Sequence, residues 1–290
     1  MKIVIVGSAG RLGTMLMRDY QKKHEVVGFN RPELDLADCD AIRKKLGAIN
    51  FDVLINAAAF TNVDACETER DRAFLINCEA PGVLAEICND RDAKLIHFST
   101  DYVFDGDKHA PYTEKDQANP ISVYGESKLA GEQNVLAAGS DHLVLRVSWV
   151  FGPDRPSFID AMIKRAQQEE KIDAISDKIS TPTYTYDVAA MLPQFFDRVA
   201  EGGILHFANA GKCSWQEYAQ WALDCCRDAG VPLKARTVGA LKLSDMTNWA
   251  ARRPVYSVLS TGKYTELTGA APRAWREAVV DYITRFYSKK

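Results

Sequence analysis

Short apolar runs alternate with longer helical stretches through the first half of this chain. Five of the runs are rich in β-branched residues and have the length of strands, namely residues 2–6, 25–29, 52–56, 94–98 and 142–147. Because these runs are continuously apolar and are separated by helices, they predict a parallel sheet that is covered on both faces. We therefore expect a doubly wound α/β fold whose ligand lies at the carboxyl ends of the strands.

The pattern loosens after about residue 150. We predict helices near 157–169, 185–200, 214–229 and 273–287, a short strand at 171–175, and a loop-rich segment from about 232 to the closing helix. The 290 residues then divide into two units of unequal size. We expect residues 1–150 to form the sheet domain, which also receives a later strand or helix, and residues 151–290 to form a smaller lobe. The crevice between them is the expected place for a substrate.

The composition is that of an ordinary globular protein, with 47% hydrophobic and 26% charged residues. Lys and Arg number 36 and Asp and Glu number 39, and this net charge of −3 argues against binding to nucleic acid or to an anionic membrane. No apolar run approaches the ~20 residues of a membrane span, and the first strand starts without a signal peptide. We expect a cytoplasmic protein, a monomer or homodimer, with a small-molecule partner.

The cysteines and histidines suggest no metal site. Seven cysteines are scattered along the chain without paired spacing, and the five histidines are dispersed. Most of the cysteines have apolar neighbours, where a small core side chain is the simpler interpretation than a catalytic thiol. We therefore predict no metal and assign no chemistry to the cysteines.

Three glycines follow the first predicted strand directly. Gly7, Gly10 and Gly13 are separated by two residues each and open the first helical stretch. Glycines in this context make a tight turn and let backbone N–H groups approach a pyrophosphate. The motif predicts a dinucleotide site in a Rossmann-like fold, and an incidental turn between strand and helix is the alternative.

The end of the second strand normally selects the dinucleotide. An acidic residue there binds the ribose 2′-hydroxyl, whereas a basic residue pairs with a 2′-phosphate. This chain reads Asn30-Arg31, which favours NADPH over NADH unless Arg31 is a solvated surface residue. Asp35 and Leu36 follow at the spacing of an adenine contact. Residues 57–59 are alanines, whose small side chains would let phosphates and ribose approach the backbone or would serve helix packing.

A tyrosine and a lysine are four residues apart in a predicted helix. Tyr124 and Lys128 therefore share one face, and a lysine cation beside a phenol favours the phenolate. Tyr124 would give a proton to a carbonyl oxygen as hydride arrives from a nicotinamide, and Lys128 would hold the nicotinamide ribose. Thr100, at the end of the fourth strand, would hydrogen-bond the same oxygen. Taken alone, the Tyr-Lys spacing would more often be a surface pair.

With these motifs the chain resembles the extended short-chain dehydrogenases/reductases and, within them, the dTDP-4-dehydrorhamnose reductase family. The stretches that carry the resemblance are residues 7–13, 56–64, 99–106, 123–132, 146–152 and 253–257. The resemblance implies reduction of the 4-keto group of dTDP-4-dehydro-6-deoxy-L-mannose to dTDP-L-rhamnose, with NADPH or, as a second possibility, NADH. It also implies that residues 1–150 bind NADP(H) and that residues 151–290 bind the nucleotide sugar.

The motifs and the resemblance together assign a set of site residues. The catalytic residues are Thr100, Tyr124 and Lys128. The cofactor-binding residues are Gly7, Gly10, Arg11, Leu12, Gly13, Asn30, Arg31, Asp35, Leu36, Ala57, Ala58, Ala59, Thr61, Ser99, Tyr124 and Lys128. The resemblance alone assigns the substrate to Val103, Phe104, Trp149, Arg253 and Ser257. Without it, Trp149 would be a core aromatic and Arg253 a surface charge.

Two departures from the family pattern lie in residues 177–183. Lys178 stands where the family has an amide side chain, and Ser180 stands where it has a glycine. We expect them to bear on the substrate more than on the chemistry. Tyr102 follows Asp101 where related dehydratases have Glu, which favours a reductase.

Two alternatives stay open. One is a reductase of another nucleotide-linked keto-sugar. The other is a non-catalytic subunit resembling the regulatory subunit of methionine adenosyltransferase, although the chain stops soon after its last predicted helix and an extra docking tail is not expected.

Overall fold

A computed structural model describes residues 1–197 and 201–288. Its strands are β1 (Lys2–Val6), β2 (Glu25–Phe29), β3 (Val53–Asn56), β4 (Lys94–Thr100), β5 (Leu143–Val147), β6 (Val150–Phe151), β7 (Ile172–Ile175), β8 (Ile179–Ser180), β9 (Thr183–Tyr184), β10 (Gly203–His206), β11 (Cys213–Ser214) and β12 (Val238–Leu241). Its α-helices are α1 (Arg11–Tyr20), α2 (Cys39–Gly47), α3 (Val63–Thr68), α4 (Arg70–Phe74), α5 (Ala80–Asp90), α6 (Val123–Ala138), α7 (Phe158–Gln168), α8 (Thr185–Met191), α9 (Trp215–Asp228), α10 (Gly262–Thr268) and α11 (Trp275–Phe286).

The central sheet is parallel throughout, with the strand order β10-β5-β4-β3-β1-β2. Alternate side chains of its strands enter two separate cores. Ile3 and Ile5 lie with α1 and α8 on one face, whereas Val4 and Val6 lie with α2 and α5 on the other. This arrangement confirms the predicted doubly wound α/β fold. The chain direction across the sheet reverses between β1 and β3, which is where such sheets form a crevice for a ligand.

The five strands expected from the apolar runs form five of the six positions in this sheet, with bounds that differ by two residues at most. The sixth, β10, comes from far along the chain and pairs in parallel with β5 at the edge. The strand predicted at 171–175 is β7, but it pairs with β12 outside the central sheet. Residues 232–272, expected to be loop-rich, also contain α10.

The helix predicted over 185–200 is shorter than expected. Helix α8 ends at Met191, and a single turn of 3-10 helix over Leu192–Phe195 follows it. Pro193 lacks the N–H that would continue the α-helical ladder, which explains the change of geometry. Residues 198–200 of that prediction lie outside the described residues.

A second apolar core lies among α7, α9 and α11. Ile163 of α7, Tyr218 of α9 and Trp275 of α11 are fully buried in it. Strand β6 and the loop after it contact the start of α1, because Arg11 donates to the carbonyls of Val150 and Arg155 at 2.9 and 3.1 Å. The division at residue 150 remains a prediction. None of the helices over residues 1–197 and 201–288 is long and apolar enough to span a membrane.

Candidate active site

A cleft of about 540 Å³ opens at the carboxyl ends of the central strands. With the exception of Gly13, it is lined by every residue predicted to bind the cofactor: Gly7, Gly10, Arg11, Leu12, Asn30, Arg31, Asp35, Leu36, Ala57, Ala58, Ala59, Thr61, Ser99, Tyr124 and Lys128. The structure therefore brings together motifs that are more than a hundred residues apart in the chain. Further lining residues, among them Leu34, Phe60, Phe98 and Arg155, were not predicted because no local motif marks them.

The glycine turn is shaped by close approaches of backbone to backbone. Gly7 has a φ of +83°, and a Cβ there would lie 2.8 Å from the backbone nitrogen of Ala58. A Cβ on Gly13 would lie 2.1 Å from the carbonyl oxygen of Gly7, so this glycine serves packing behind the turn. Gly10 precedes α1 without any side-chain cap, and the first turn of α1 holds no acidic residue. The cradle therefore fits the pyrophosphate of a dinucleotide, since N–H groups and the helix dipole both favour an anion.

Arg31 lies at the rim of the cleft, just beyond β2. Its Nε is 3.4 Å from Oδ2 of Asp35, and 65% of its side chain is exposed. Asp35 also caps the following turn by accepting from the N–H of Ala37 at 3.0 Å. The two residues predicted to contact opposite ends of an adenosine thus lie side by side on one wall.

Arg11 lines the cleft but directs its guanidinium away from the glycine turn. Besides the bonds to Val150 and Arg155, its Nη2 donates to the carbonyl of Pro156 at 2.5 Å. The acceptors belong to β6, in the case of Val150, and to the loop after it, in the case of Arg155 and Pro156. In this structure the side chain of Arg11 therefore joins the cofactor wall to the second half of the chain, and its contact with a cofactor stays a prediction.

The three predicted catalytic residues come from two neighbouring elements. Thr100 is the last residue of β4, Tyr124 lies in the first turn of α6, and Lys128 follows one turn later. Helix α6 begins here because Ser122 caps it, accepting from the N–H of Gly125 at 3.3 Å. A Cβ on Gly125 would lie 2.3 Å from the carbonyl oxygen of Tyr102, so only glycine lets the helix approach this close to the turn that follows β4.

The electrostatics of Tyr124 differ from those expected from sequence. Burial raises the pKa of its hydroxyl, and a hydrogen bond with Thr100 opposes this rise. Lys128 is directed towards β4, where its Nζ donates to the carbonyl of Phe98 at 2.8 Å and lies 3.1 Å from Nε2 of His97. Burial lowers the pKa of Lys128 to about 8. In the protein alone, burial rather than the lysine charge therefore dominates the pKa of Tyr124.

The residues assigned to the substrate are not equally accessible. The side chains of Val103 and Phe104 are completely buried, and Phe104 stacks on Tyr112 with ring centroids 4.1 Å apart. Ser257 is also buried, and its hydroxyl donates to Oδ2 of Asp101 at 2.5 Å. Their side chains are thus shielded from the cleft, and their role in the sugar site stays a prediction that depends on the resemblance.

Trp149 and Arg253 are partly accessible. Trp149 follows β5 with a φ of +42°, unusual for a residue with a side chain, and stacks on Tyr218. Arg253 lies over the ring of Trp249 at 3.8 Å and pairs with Asp64 at 2.7 Å. Both residues therefore have partners within the protein. The aromatic face of Trp149 is still suited to packing against a sugar, and the guanidinium of Arg253 to pairing with a phosphate.

Asp101 is a buried carboxylate to which the sequence analysis assigned no role in the site. Its oxygens accept from the hydroxyls of Thr100, Ser180 and Ser257 at 3.2, 3.0 and 2.5 Å. Lys178 is fully buried and attracts this carboxylate, while its Nζ donates to the carbonyl of Pro254 at 2.6 Å. Lys178 and Ser180 are the two departures from the family pattern, and both interact with the carboxylate of Asp101, the first by charge and the second by a hydrogen bond. The same carboxylate accepts a hydrogen bond from Thr100, the predicted catalytic threonine.

Comparisons with known proteins agree with this geometry. The chain is 40% identical over 285 residues to a dTDP-4-dehydrorhamnose reductase of Mycolicibacterium smegmatis, covering 97% of this chain and 85% of the relative. It is 38% identical over 282 residues to a probable dTDP-4,6-dihydroxy-2-methyloxan-3-one 4-ketoreductase of Streptomyces antibioticus, covering 96% and 93%. The crystal structure of dTDP-4-dehydrorhamnose reductase from Bacillus anthracis in complex with NADP superposes with a TM-score of 0.91 at 30% identity, covering 98% and 99%. The family described as the RmlD substrate binding domain matches residues 1–288, and the chain belongs to this family.

Proposed function

We propose that this protein is an oxidoreductase that uses NADPH, or less readily NADH, to reduce the 4-keto group of dTDP-4-dehydro-6-deoxy-L-mannose to dTDP-L-rhamnose. The observation that carries the proposal is that Tyr124 and Lys128 line the same cleft as the glycine turn, with Thr100 close enough to Tyr124 to act on the pKa of its hydroxyl. Relatives with this named activity cover almost all of the chain. Residues 1–150 together with β10 would hold the cofactor, and the remainder the nucleotide sugar.

In the proposed reaction Tyr124 is the proton donor. Its hydroxyl protonates the carbonyl oxygen as that oxygen gains negative charge, and Thr100 hydrogen-bonds the oxygen or the phenolate. Lys128, once charged, stabilises the phenolate and holds the ribose next to the nicotinamide. NADPH, when bound, supplies the hydride. Residues 57–59, with their small side chains, would let the cofactor lie against the end of β3.

The proposal is tested by following NADPH oxidation with a panel of nucleotide-linked 4-keto sugars. We expect turnover with the dTDP-linked 4-keto-6-deoxy sugar and, in Tyr124→Phe, a loss of about a hundredfold or more in kcat, because only the proton donor is removed. The dissociation constant of NADPH should stay within about twofold, since phenylalanine keeps the ring that lines the cleft. Full turnover by the Phe variant would refute the role of Tyr124.

A reductase of another dTDP-linked keto-sugar is the second candidate. The 38% identical relative is named for a different ketoreduction, and Lys178 and Ser180 depart from the family pattern beside the predicted catalytic residues. In the same panel this candidate would show as preference for a different sugar with Tyr124 still required. Binding of NADPH without turnover of any sugar would instead favour a non-catalytic subunit.

A further inference from the structure

A chain of three buried polar side chains leads from the wall of the cleft to Lys128. Asn56 ends β3, His97 lies opposite it in register on β4, and Lys128 of α6 lies beyond His97. At most 1% of each residue is exposed to solvent. In such a setting a donor that faces another donor is costly, so each hydrogen bond fixes the direction of the next.

A backbone group sets the direction at the cleft end. The N–H of Ala58 donates to Oδ1 of Asn56 at 3.1 Å. Because a backbone N–H can only donate, Oδ1 must be the acceptor, and Nδ2 then faces Nδ1 of His97 at 3.0 Å. The amide nitrogen also only donates. Nδ1 of His97 must therefore accept, and the neutral ring carries its proton on Nε2.

The same logic continues to Lys128. The Nε2–H of His97 points at Nζ of Lys128, 3.1 Å away. An ammonium group has three donors and no lone pair, so Nζ can accept this proton only as an amine. Nζ in turn donates to the carbonyl of Phe98 at 2.8 Å. Burial acts in the same direction, because it lowers the pKa of Lys128 and holds that of His97 well below its usual value.

We infer that Asn56 and His97 are positioning residues that hold Lys128 as an amine in the free protein. Cofactor binding reverses the donor-to-acceptor direction of the hydrogen bonds that run from Asn56 through His97 to Lys128. The inference rests on the proposed function. Ala58, which orients Asn56, lines the predicted cofactor site, as Lys128 does. An anionic dinucleotide in the cleft favours the charged form of Lys128.

Reversal conserves the hydrogen bonds between Asn56 and His97 and between His97 and Lys128, and it releases the N–H of Ala58, which lines the cofactor site, to donate to the bound dinucleotide instead of to Asn56. The Asn56 amide turns so that its oxygen faces His97, the ring proton moves from Nε2 to Nδ1, and Nε2 then accepts from the ammonium. The proton that binds the Nζ lone pair comes from solvent. The charged or titratable groups that face Lys128 are His97 on β4 and, on its own helix, Glu132 and Tyr124, one turn after and one turn before it. Glu132 favours the ammonium but is itself paired with Arg146 at 2.6 Å.

Asn56→Asp tests the inference because the new side chain has the same shape as the old one but reverses the direction of the hydrogen bonds between residue 56 and Lys128. A carboxylate only accepts, so it would take the Ala58 N–H and a proton on Nδ1 of His97, leaving Nε2 to accept from the ammonium. The measurement is calorimetry of NADPH binding at about pH 8.5 in buffers of different ionisation enthalpy, which counts protons taken up. We expect uptake of most of one proton by the wild type and almost none by Asn56→Asp. Asn50→Asp, the same change at an exposed loop position, should behave as the wild type.

Equal proton uptake by the wild type and Asn56→Asp would overturn the inference. Ring ¹⁵N NMR of His97 in the free wild type is a second test, which needs neither a variant nor the cofactor and shows which ring nitrogen carries the proton. A proton on Nε2 supports the chain described here, and a proton on Nδ1 overturns it. If the wild type fails to bind NADPH, the proposed function fails, while the ring measurement still decides the direction of the chain.

Discussion

At the scale of single residues, the choice between the two nicotinamide cofactors depends on Arg31. Its contact with Asp35 is long and largely exposed, and such surface pairs contribute little free energy. The guanidinium can therefore exchange Asp35 for a phosphate, to which it can donate two parallel hydrogen bonds. A ribose 2′-hydroxyl offers no charge to replace that partner. Discrimination between NADPH and NADH is thus expected to reside in one side chain at the rim of the cleft.

Arg31→Ala should weaken NADPH binding by about tenfold to a hundredfold, because a hydrogen bond to a charged group contributes about 1.5–3 kcal/mol. NADH binding should change by no more than about twofold. Fluorescence titration of each cofactor measures both dissociation constants. Arg227→Ala, at an exposed arginine of α9 that pairs with Asp224 at 2.8 Å, is the matched control and should leave both unchanged. Similar losses for the two cofactors would mean that Arg31 does not contact the 2′-phosphate.

Residues that belong to short motifs could be predicted from sequence, whereas those defined by partners across the fold could not. The glycines and Tyr124 stand at fixed spacings next to a strand or within a helix, and such spacings are visible in one dimension. Asn56 and His97 became interpretable only once the register of β3 and β4 placed them opposite each other. Asp101 acquires its surroundings from Ser257, 156 positions later in the chain. No local pattern records a partner at that separation.

At the scale of elements, the turn between β1 and α1 is the most tightly constrained part of the cofactor wall. The strands of the central sheet were predictable where mostly apolar runs mark them, because burial on both faces favours apolar side chains at most positions. A later strand or helix was expected to join the sheet, but the position of β10 was not predicted, since this strand is only four residues long and begins at the second of two adjacent glycines. Its place in the sheet is set by pairing with β5, a contact that hydrophobic periodicity does not encode.

Gly13→Ala should disturb this turn strongly. The added Cβ would lie 2.1 Å from the carbonyl oxygen of Gly7, and overpacking of this kind costs about 1–3 kcal/mol of unfolding free energy. NADPH binding should weaken as well, because the turn must open. Gly47→Ala, at the last residue of α2, meets only the end of Arg91 at 3.8 Å and should be neutral or stabilising by up to about 1 kcal/mol. Urea unfolding compares the two, and a stable Gly13→Ala would contradict the close approach.

At the scale of the whole molecule, arginines connect the cofactor wall to the second half of the chain. Arg11 donates to one carbonyl of β6 and two of the loop after it, and Arg155 of that loop donates to the carbonyl of Ala9 at 2.7 Å. Two turns further along α1, Arg18 pairs with Asp154 at 2.7 Å. These contacts fix how the start of α1 sits against the region that carries α7, and with it one side of the cleft.

Arg11→Ala should lower the unfolding free energy by about 2–4 kcal/mol, because three hydrogen bonds of about 1 kcal/mol each are lost and carbonyls are left without a donor. Arg43→Ala serves as the control, since its exposed pair with Glu86 at 2.6 Å should contribute less than about 1 kcal/mol. Chemical denaturation measures both. If the two variants lose the same small amount, the Arg11 contacts do not hold the two parts together.

The position of β10 at the edge of the central sheet also has a consequence during synthesis on the ribosome. Strand β5 is complete at Val147, whereas its partner ends at His206. At translation rates of about 5–20 residues per second, the edge of β5 stays unpaired for about 3–12 s while the intervening chain emerges. An unpaired parallel edge can recruit other nascent chains. We therefore expect the newly made protein to depend on chaperone protection over this interval more than a reductase whose sheet strands follow one another without interruption.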